Sequence, residues 1–186
     1  MTTQSEAALA SATDFIERVK RLSRGELAAL RRNAGNTLPE ARGVAWFYRL
    51  LDDEGYRNLE VYFLVATLVG LNPYALRGDF GVTMRAVQGK ANPEGVERRF
   101  RILLDADWET PGRAGGGELP FRLRQLVKLA AAHQVGVDWA QLLVDLGRWH
   151  WQGKRVQRQW AERFYAPYLA AESEAAAAAA SDETKG

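Results

Sequence analysis

The feature that most constrains this chain is the stretch over 121–165, where three helical apolar patterns follow one another, parted by short Gly-containing turns. Leu119, Leu123, Leu126, Val127 and Ala130 recur on one side at helical spacing, while Arg124 and Lys128 stand four apart on the opposite side. A second pattern turns Trp139, Leu142, Leu143, Leu146 and Trp149 inward, with Asp138 placed to cap its start. A third turns Val156, Trp160 and Phe164 inward and Lys154 and Arg158 outward. Stripes of this kind are buried by packing helix on helix. Their polar faces are mostly cationic. Like charges four apart cost a helix a few tenths of a kcal/mol, and Arg124/Lys128 and Lys154/Arg158 are two such pairs. That favours a counter-charge from outside the chain. The competing reading is solvated surface, with Glu162 relieving Arg158.

Upstream, Asp14 starts a helical pattern through Phe15, Ile16, Val19 and Leu22. Ser23 and Glu26 form a capping box for a short helix ending near Asn33. Residues 33–36 read as a turn. Pro39 sits in the first turn of a helix expected to run to Leu51, with Trp46, Phe47 and Leu50 as core candidates. Residues 56–69 are the most apolar segment and read as a central helix. A short helix carries Met84 and Val87. Another, opened by Asn92 and Pro93, carries Phe100, Leu103 and Leu104. No segment alternates at period two, so the expected class is all-α. The sequence PGRAGGG at 111–117 is the clearest linker. It predicts two small bundles, an N-terminal one over 14–110 and a C-terminal three-helix bundle over 118–168. Residues 1–13 and the Ala-rich 170–186 are expected to be flexible.

The chain of 186 residues, 47% hydrophobic and 26% charged, is long enough for a substantial core and ordinary enough in composition to be globular. No apolar run approaches a bilayer span, the first residues lack the pattern of a signal peptide, and there is no cysteine. The expected location is cytoplasmic, away from any membrane. Net charge is only +2, but it is uneven. The 121–165 stretch sets Arg122, Arg124, Lys128, Arg148, Lys154, Arg155, Arg158 and Arg163 against Asp138, Asp145 and Glu162. A basic surface of this kind suits a polyanion.

No constellation for catalysis or a cofactor emerges. Asp105, Asp107 and Glu109 could hold Mg²⁺ or act as an acid–base pair, although acids beside a loop are more often simply solvated. The Gly-rich linker lacks the Lys-Ser/Thr of a phosphate loop. His133 and His150 have no ligand at metal spacing. His150 is expected to pack between two tryptophans. Trp139, Trp149 and Trp160 read as core, and Trp151 faces differently, with stacking as a weaker reading. The expectation is no catalytic residue, no metal and no cofactor.

The string VDWAQLLVDLGRWHWQGKRVQRQWAERFY at 137–165 resembles the C-terminal signature of the CasB family, the small subunits of the type I-E CRISPR surveillance complex Cascade. GELAALRR at 25–32, VERRFRILLDAD at 96–107 and LRQLVKLAA at 123–131 agree, in order, over about residues 14–166. The glycines at 115–117 and the Ala-rich tail depart from the pattern. The resemblance implies an all-helical, non-enzymatic subunit that packs with a second copy of itself and with the large and backbone subunits. It also implies a role in holding guide RNA, target DNA and the displaced strand. Arg31 and Arg32 match the family's basic pair, Arg98 and Arg99 its Glu-Arg-Arg element, and Arg124 its Leu-Arg-x-Leu element. Arg122 and Lys128 are added as nucleic-acid contacts from the helical face alone. Internal salt bridges are expected to claim one or two of these seven, with Glu94 or Glu97 as a partner for Arg98. Asp145 is read as structural, pairing with Arg148 or a neighbour. Two alternatives stand beside this reading: a helical adaptor for a protein partner, and a small Mg²⁺-dependent hydrolase using Asp105, Asp107 and Glu109.

Overall fold

A computed structural model describes residues 4–108 and 117–166. Among these residues the chain is helical, with one isolated bridge between Ala34 and Asn36 and no strand. The helices are α1 (Gln4–Lys20), α2 (Arg24–Arg32), α3 (Asp53–Arg57), α4 (Leu59–Val69), α5 (Phe80–Gln88), α6 (Pro93–Leu104), α7 (Glu118–Ala132), α8 (Trp139–Gly147) and α9, over 155–166. The all-α expectation holds.

Helix starts follow cap chemistry. The Glu26 N–H donates to Ser23 Oγ at 3.2 Å and the Ser23 N–H donates back to Glu26 Oε2 at 2.9 Å, which completes the capping box of α2. The Ser23 hydroxyl also donates to Glu26 Oε2 at 2.7 Å, and this bond, with the one from the Ser23 N–H, holds the Glu26 carboxyl below its ordinary range. Asp79 accepts from the Val82 N–H, Asn92 from Gly95 and Asp138 from Gln141. Each such cap typically contributes about 1 kcal/mol.

Three boundaries differ from the sequence reading. Helix α1 begins by Gln4 rather than at Asp14. The alanines at 7, 8, 10 and 12 are the best helix formers, and Ala12 is buried. The helix expected from Pro39 to Leu51 is instead two 3-10 turns, Leu38–Glu40 and Ala45–Leu50. Between them Ala41 is extended and Gly43 is left-handed, at φ 72°. The central helix is interrupted at Asn58, whose non-helical backbone (φ −116°, ψ 38°) separates α3 from α4.

Helix α4 is buried along every residue from Tyr62 to Val69, the condition for a helix that is apolar all round. It touches α1, α2, α3, α7 and α8. Helix α1 lies against α8, and α6 against α5 and α7. The expected linker, apart from Gly117, lies outside the described residues, as does the tail beyond 166. Packing nevertheless crosses that segment of sequence, and buried side chains from both sides form one apolar cluster. Two groups of rings anchor it. Phe15, Phe47, Tyr62 and Phe63 stack edge to face within 6.3 Å. Phe80, Trp149 and Trp160 meet at 5.2–5.3 Å, and Phe100 meets Phe164 at 4.7 Å.

Candidate nucleic-acid interface

Helix α2 runs from its capping box for two turns, burying Ala29 and Leu30, so Arg31 and Arg32 fall in its last turn. Both are exposed. Cations there complement the negative end of the helix. On α6, burial of Val96, Phe100 and Leu103 turns Arg98 and Arg99 outward, and both are exposed. Their neighbour Glu97 accepts a hydrogen bond from the Tyr165 hydroxyl at 3.0 Å, which directs its carboxylate toward α9. Among the described residues no ion pair engages any of these four arginines.

The cations of α7 are placed differently. The Arg122 guanidinium donates to Glu118 Oε1 at 3.2 Å and lies 5.7 Å over the Phe121 ring. Arg124 reaches the turn that follows α2. There Gly35 adopts φ 102°, and a Cβ at that glycine would stand 3.2 Å from Arg124 Nη1. Arg124 Nε is buried without a hydrogen-bond partner. Lys128, one turn further along α7, is exposed. The fold thus brings Arg124 beside the end of α2 that carries Arg31 and Arg32, and packs α6, with Arg98 and Arg99, against α7. Sequence reasoning named the residues but not this juxtaposition. The only local signal for it was the Asn-Ala-Gly-Asn turn at 33–36.

Among the described residues, the acids weighed for chemistry are either buried on hydrogen-bond donors or exposed at the surface. Asp145 is buried and accepts from Trp160 Nε1 at 2.7 Å and from Gln141 Nε2 at 2.8 Å. Burial pushes its carboxyl up to about 6, against the lowering effect of those two donors. Its structural role agrees with the sequence reading, with Trp160 and Gln141 as its hydrogen-bond partners. Asp105 and Asp107 are exposed, and Asp105 lies 3.6 Å from Lys154 Nζ. Glu109 lies outside the described residues. No group of three His, Cys, Asp or Glu residues that could hold a metal occurs among the described residues.

His150 departs from expectation. It is exposed, its ring edge-on to Trp108 at 6.3 Å, because α8 ends at Gly147 and residues 148–150 form a turn. A helical face extrapolated past Gly147 does not apply to it. Trp139, Trp149 and Trp160 are buried and Trp151 is exposed, as their spacing predicts. No helix among the described residues is long and apolar enough to cross a membrane.

The model of the family described as CRISPR-associated protein Cse2 matches residues 26–165. A CRISPR-associated protein Cse2 from Thermus thermophilus is 40% identical over 111 residues, which are 57% of this chain and 56% of that protein, so the match spans little more than half of the relative's length. The crystal structure of M. ruber CasB aligns with TM-score 0.69 at 26% identity, over 93% of this chain and 98% of that one. A chain of a CRISPR RNA-guided surveillance complex aligns with TM-score 0.72 over 90% of this chain and 99% of that one; at 21% identity the likeness is one of fold.

Proposed function

The chain belongs to the CRISPR-associated Cse2 family, and from that premise we propose that it is a non-catalytic, nucleic-acid-binding subunit of a type I-E Cascade complex in the cytoplasm. Its partners are the large and backbone subunits, a second copy of itself, the guide RNA and the target DNA. Its work is to stabilise the open R-loop and the displaced strand.

The observation that carries this reading is the pair of arginine doublets, Arg31/Arg32 and Arg98/Arg99, exposed and without an internal ion pair among the described residues. Arg124 and Lys128 extend the cationic surface along α7, and Arg122 joins it once its pair with Glu118 is exchanged for a phosphate. Arginine meets phosphate with two parallel N–H donors, a geometry that lysine lacks. Such contacts position a strand without reading its sequence. That suffices where base pairing with a guide supplies the specificity.

The energetics favour a modest role for each contact. Exchange of a DNA duplex for a guide–target duplex is close to balanced, so a few backbone contacts decide how far the bubble opens. Reversing a charge at phosphate distance near the surface changes the interaction by about 1 kcal/mol or more. Surface substitutions otherwise cost within about 0.5 kcal/mol of stability.

The test reverses both doublets, Arg31→Glu/Arg32→Glu and Arg98→Glu/Arg99→Glu, in the assembled complex. Gel filtration and melting should match wild type, while permanganate reactivity of the displaced strand falls. Variants that assemble, melt normally and open DNA as well as wild type would remove these arginines as contacts. Variants that unfold or leave the complex would make them structural.

A further inference from the structure

We propose that the loop over 148–155 is a base-stacking site for single-stranded nucleic acid, with Trp151 as the platform and Arg148, Lys154 and Arg155 facing the strand's phosphates. This rests on the nucleic-acid reading above and adds the kind of strand the protein selects.

The segment reads RWHWQGKR. Its two tryptophans meet opposite environments. Trp149 is buried, its indole N–H donates to the Ala106 carbonyl at 3.2 Å, and its own carbonyl accepts from Gln157 Nε2 at 3.1 Å. The base of the loop is therefore pinned to the end of α6 and to α9. Trp151, two residues on, is 52% exposed. The Arg148 guanidinium lies 5.2 Å from its ring centroid, a cation–π contact that holds the ring while leaving it open to solvent. Gly153 at φ 78° and Lys154 at φ 49° then turn the chain into α9. A lysine in that region is uncommon, and strain of this kind gathers at binding sites.

The surroundings specify the ligand. Gln152, Gly153, Lys154 and Arg155 are all exposed. Two acids bear on these cations: Asp105, paired with Lys154 at 3.6 Å, and the buried Asp145, whose charge acts on Arg148. Both side chains of the Asp105–Lys154 pair are largely exposed, so it contributes little and a phosphate can replace the carboxylate. A flat apolar face ringed by cations suits an unstacked base attached to phosphates. Bases within a duplex are stacked on their neighbours on both sides and cannot use it. The arginine doublets carry no such preference, since phosphates are common to both forms.

The experiment titrates the full chain with a labelled thymidine homopolymer and, separately, with a duplex of equal length, reading anisotropy and intrinsic tryptophan fluorescence. The single strand should quench part of the emission and the duplex should not. Trp151→Ala should remove that quenching and weaken single-strand binding about tenfold, leaving duplex affinity and melting temperature unchanged. Trp151→Phe should recover part of the affinity. Equal losses on both ligands, or single-strand binding that ignores Trp151, would overturn the proposal while leaving the doublet contacts standing. Wild-type protein that binds neither ligand would overturn both. Trp151→Ala that binds the single strand normally but drops out of the assembled complex would make the loop a protein contact instead.

Discussion

The arginines of α2 and α6 and the charged groups of α7–α9 are written in the same sequence pattern, polar residues on the outer faces of amphipathic helices, yet they meet different fates. Arg31, Arg32, Arg98 and Arg99 are exposed and engage no acid among the described residues. In the C-terminal helices Arg122 is held by Glu118, Arg124 lies against the Gly35 turn, Lys154 meets Asp105, and Asp145 is sunk beneath Trp160 and Gln141. Arg122 and Lys154 each meet an acid from outside 121–165, which offsets part of the base excess counted there, while Lys128, Arg155, Arg158 and Arg163 are exposed with no ion pair among the described residues. The doublets, in a part of the chain nearer to charge balance, present theirs freely. Local sequence sets which way a side chain points, and tertiary neighbours decide whether its charge is spent inside the molecule.

The largest effect expected from that difference lies at Asp145. Its folded-state carboxyl titrates at about 6, above the ordinary value of 3.8, because of burial. The folded protein therefore keeps a proton that the unfolded chain releases between about pH 4 and 6. Stability from this group is greatest below pH 4, falls as pH rises through that window, and is flat above it. A shift of about two units corresponds to about 3 kcal/mol. Glu17, Glu26, Glu40 and Asp52 are lowered, and their contributions run in the opposite direction, lost as pH falls. The informative quantity is therefore the difference between wild type and Asp145→Asn in urea unfolding from pH 4 to 7. That difference should change by about 3 kcal/mol across the window. Parallel curves would mean that Asp145 is as free as a surface acid, and the contrast between the two regions would collapse.

A smaller effect is expected at the turn that receives Arg124. A Cβ at Gly35 meets a left-handed backbone at φ 102° and the Arg124 guanidinium at 3.2 Å. Gly35→Ala should destabilise the protein by about 1–2 kcal/mol. Repeating it in an Arg124→Ala background retains the backbone strain and removes the steric contact, so the second cost should be lower. Equal costs in both backgrounds would show that Arg124 does not rest on the turn.

What was legible in the sequence is what local chemistry determines. The inward faces of α7, α8 and α9, the Ser23–Glu26 box and the Asn92-Pro93 start depend on residues within a turn or two of one another. The seat of Arg124 needs residues far apart in the chain, and the carboxylate trap of Asp145 joins Gln141, one turn back on its own helix, to Trp160 on another, a pairing across helices that leaves no periodic trace. His150 failed for a related reason. Its position was projected along a helix that had already ended, and nothing in the apolar pattern marked the end because tryptophans continue beyond it. The split of the 38–50 segment into 3-10 turns similarly follows from the left-handed Gly43, which breaks a pattern that periodicity alone would continue.

The smallest effect, and the sharpest test of the contrast, compares Arg122→Ala with Arg32→Ala. The Arg122–Glu118 pair is four residues apart on one helix and about one third exposed on each side. Pairs of this kind contribute about 0.3–0.5 kcal/mol. Arg122→Ala should therefore lower stability by that amount, and the loss should shrink in high salt as the pair is screened. Its effect on nucleic-acid affinity should be smaller than that of Arg32→Ala, because a phosphate must first displace Glu118. Arg32→Ala should do the reverse, leaving the melting curve unchanged. It should also reduce the slope of log affinity against log salt by nearly one unit on duplex, as loss of a single phosphate contact requires. If both variants shift the salt slope equally, Glu118 does not restrain Arg122, and the outer face of α7 belongs with the doublets as one continuous cationic surface.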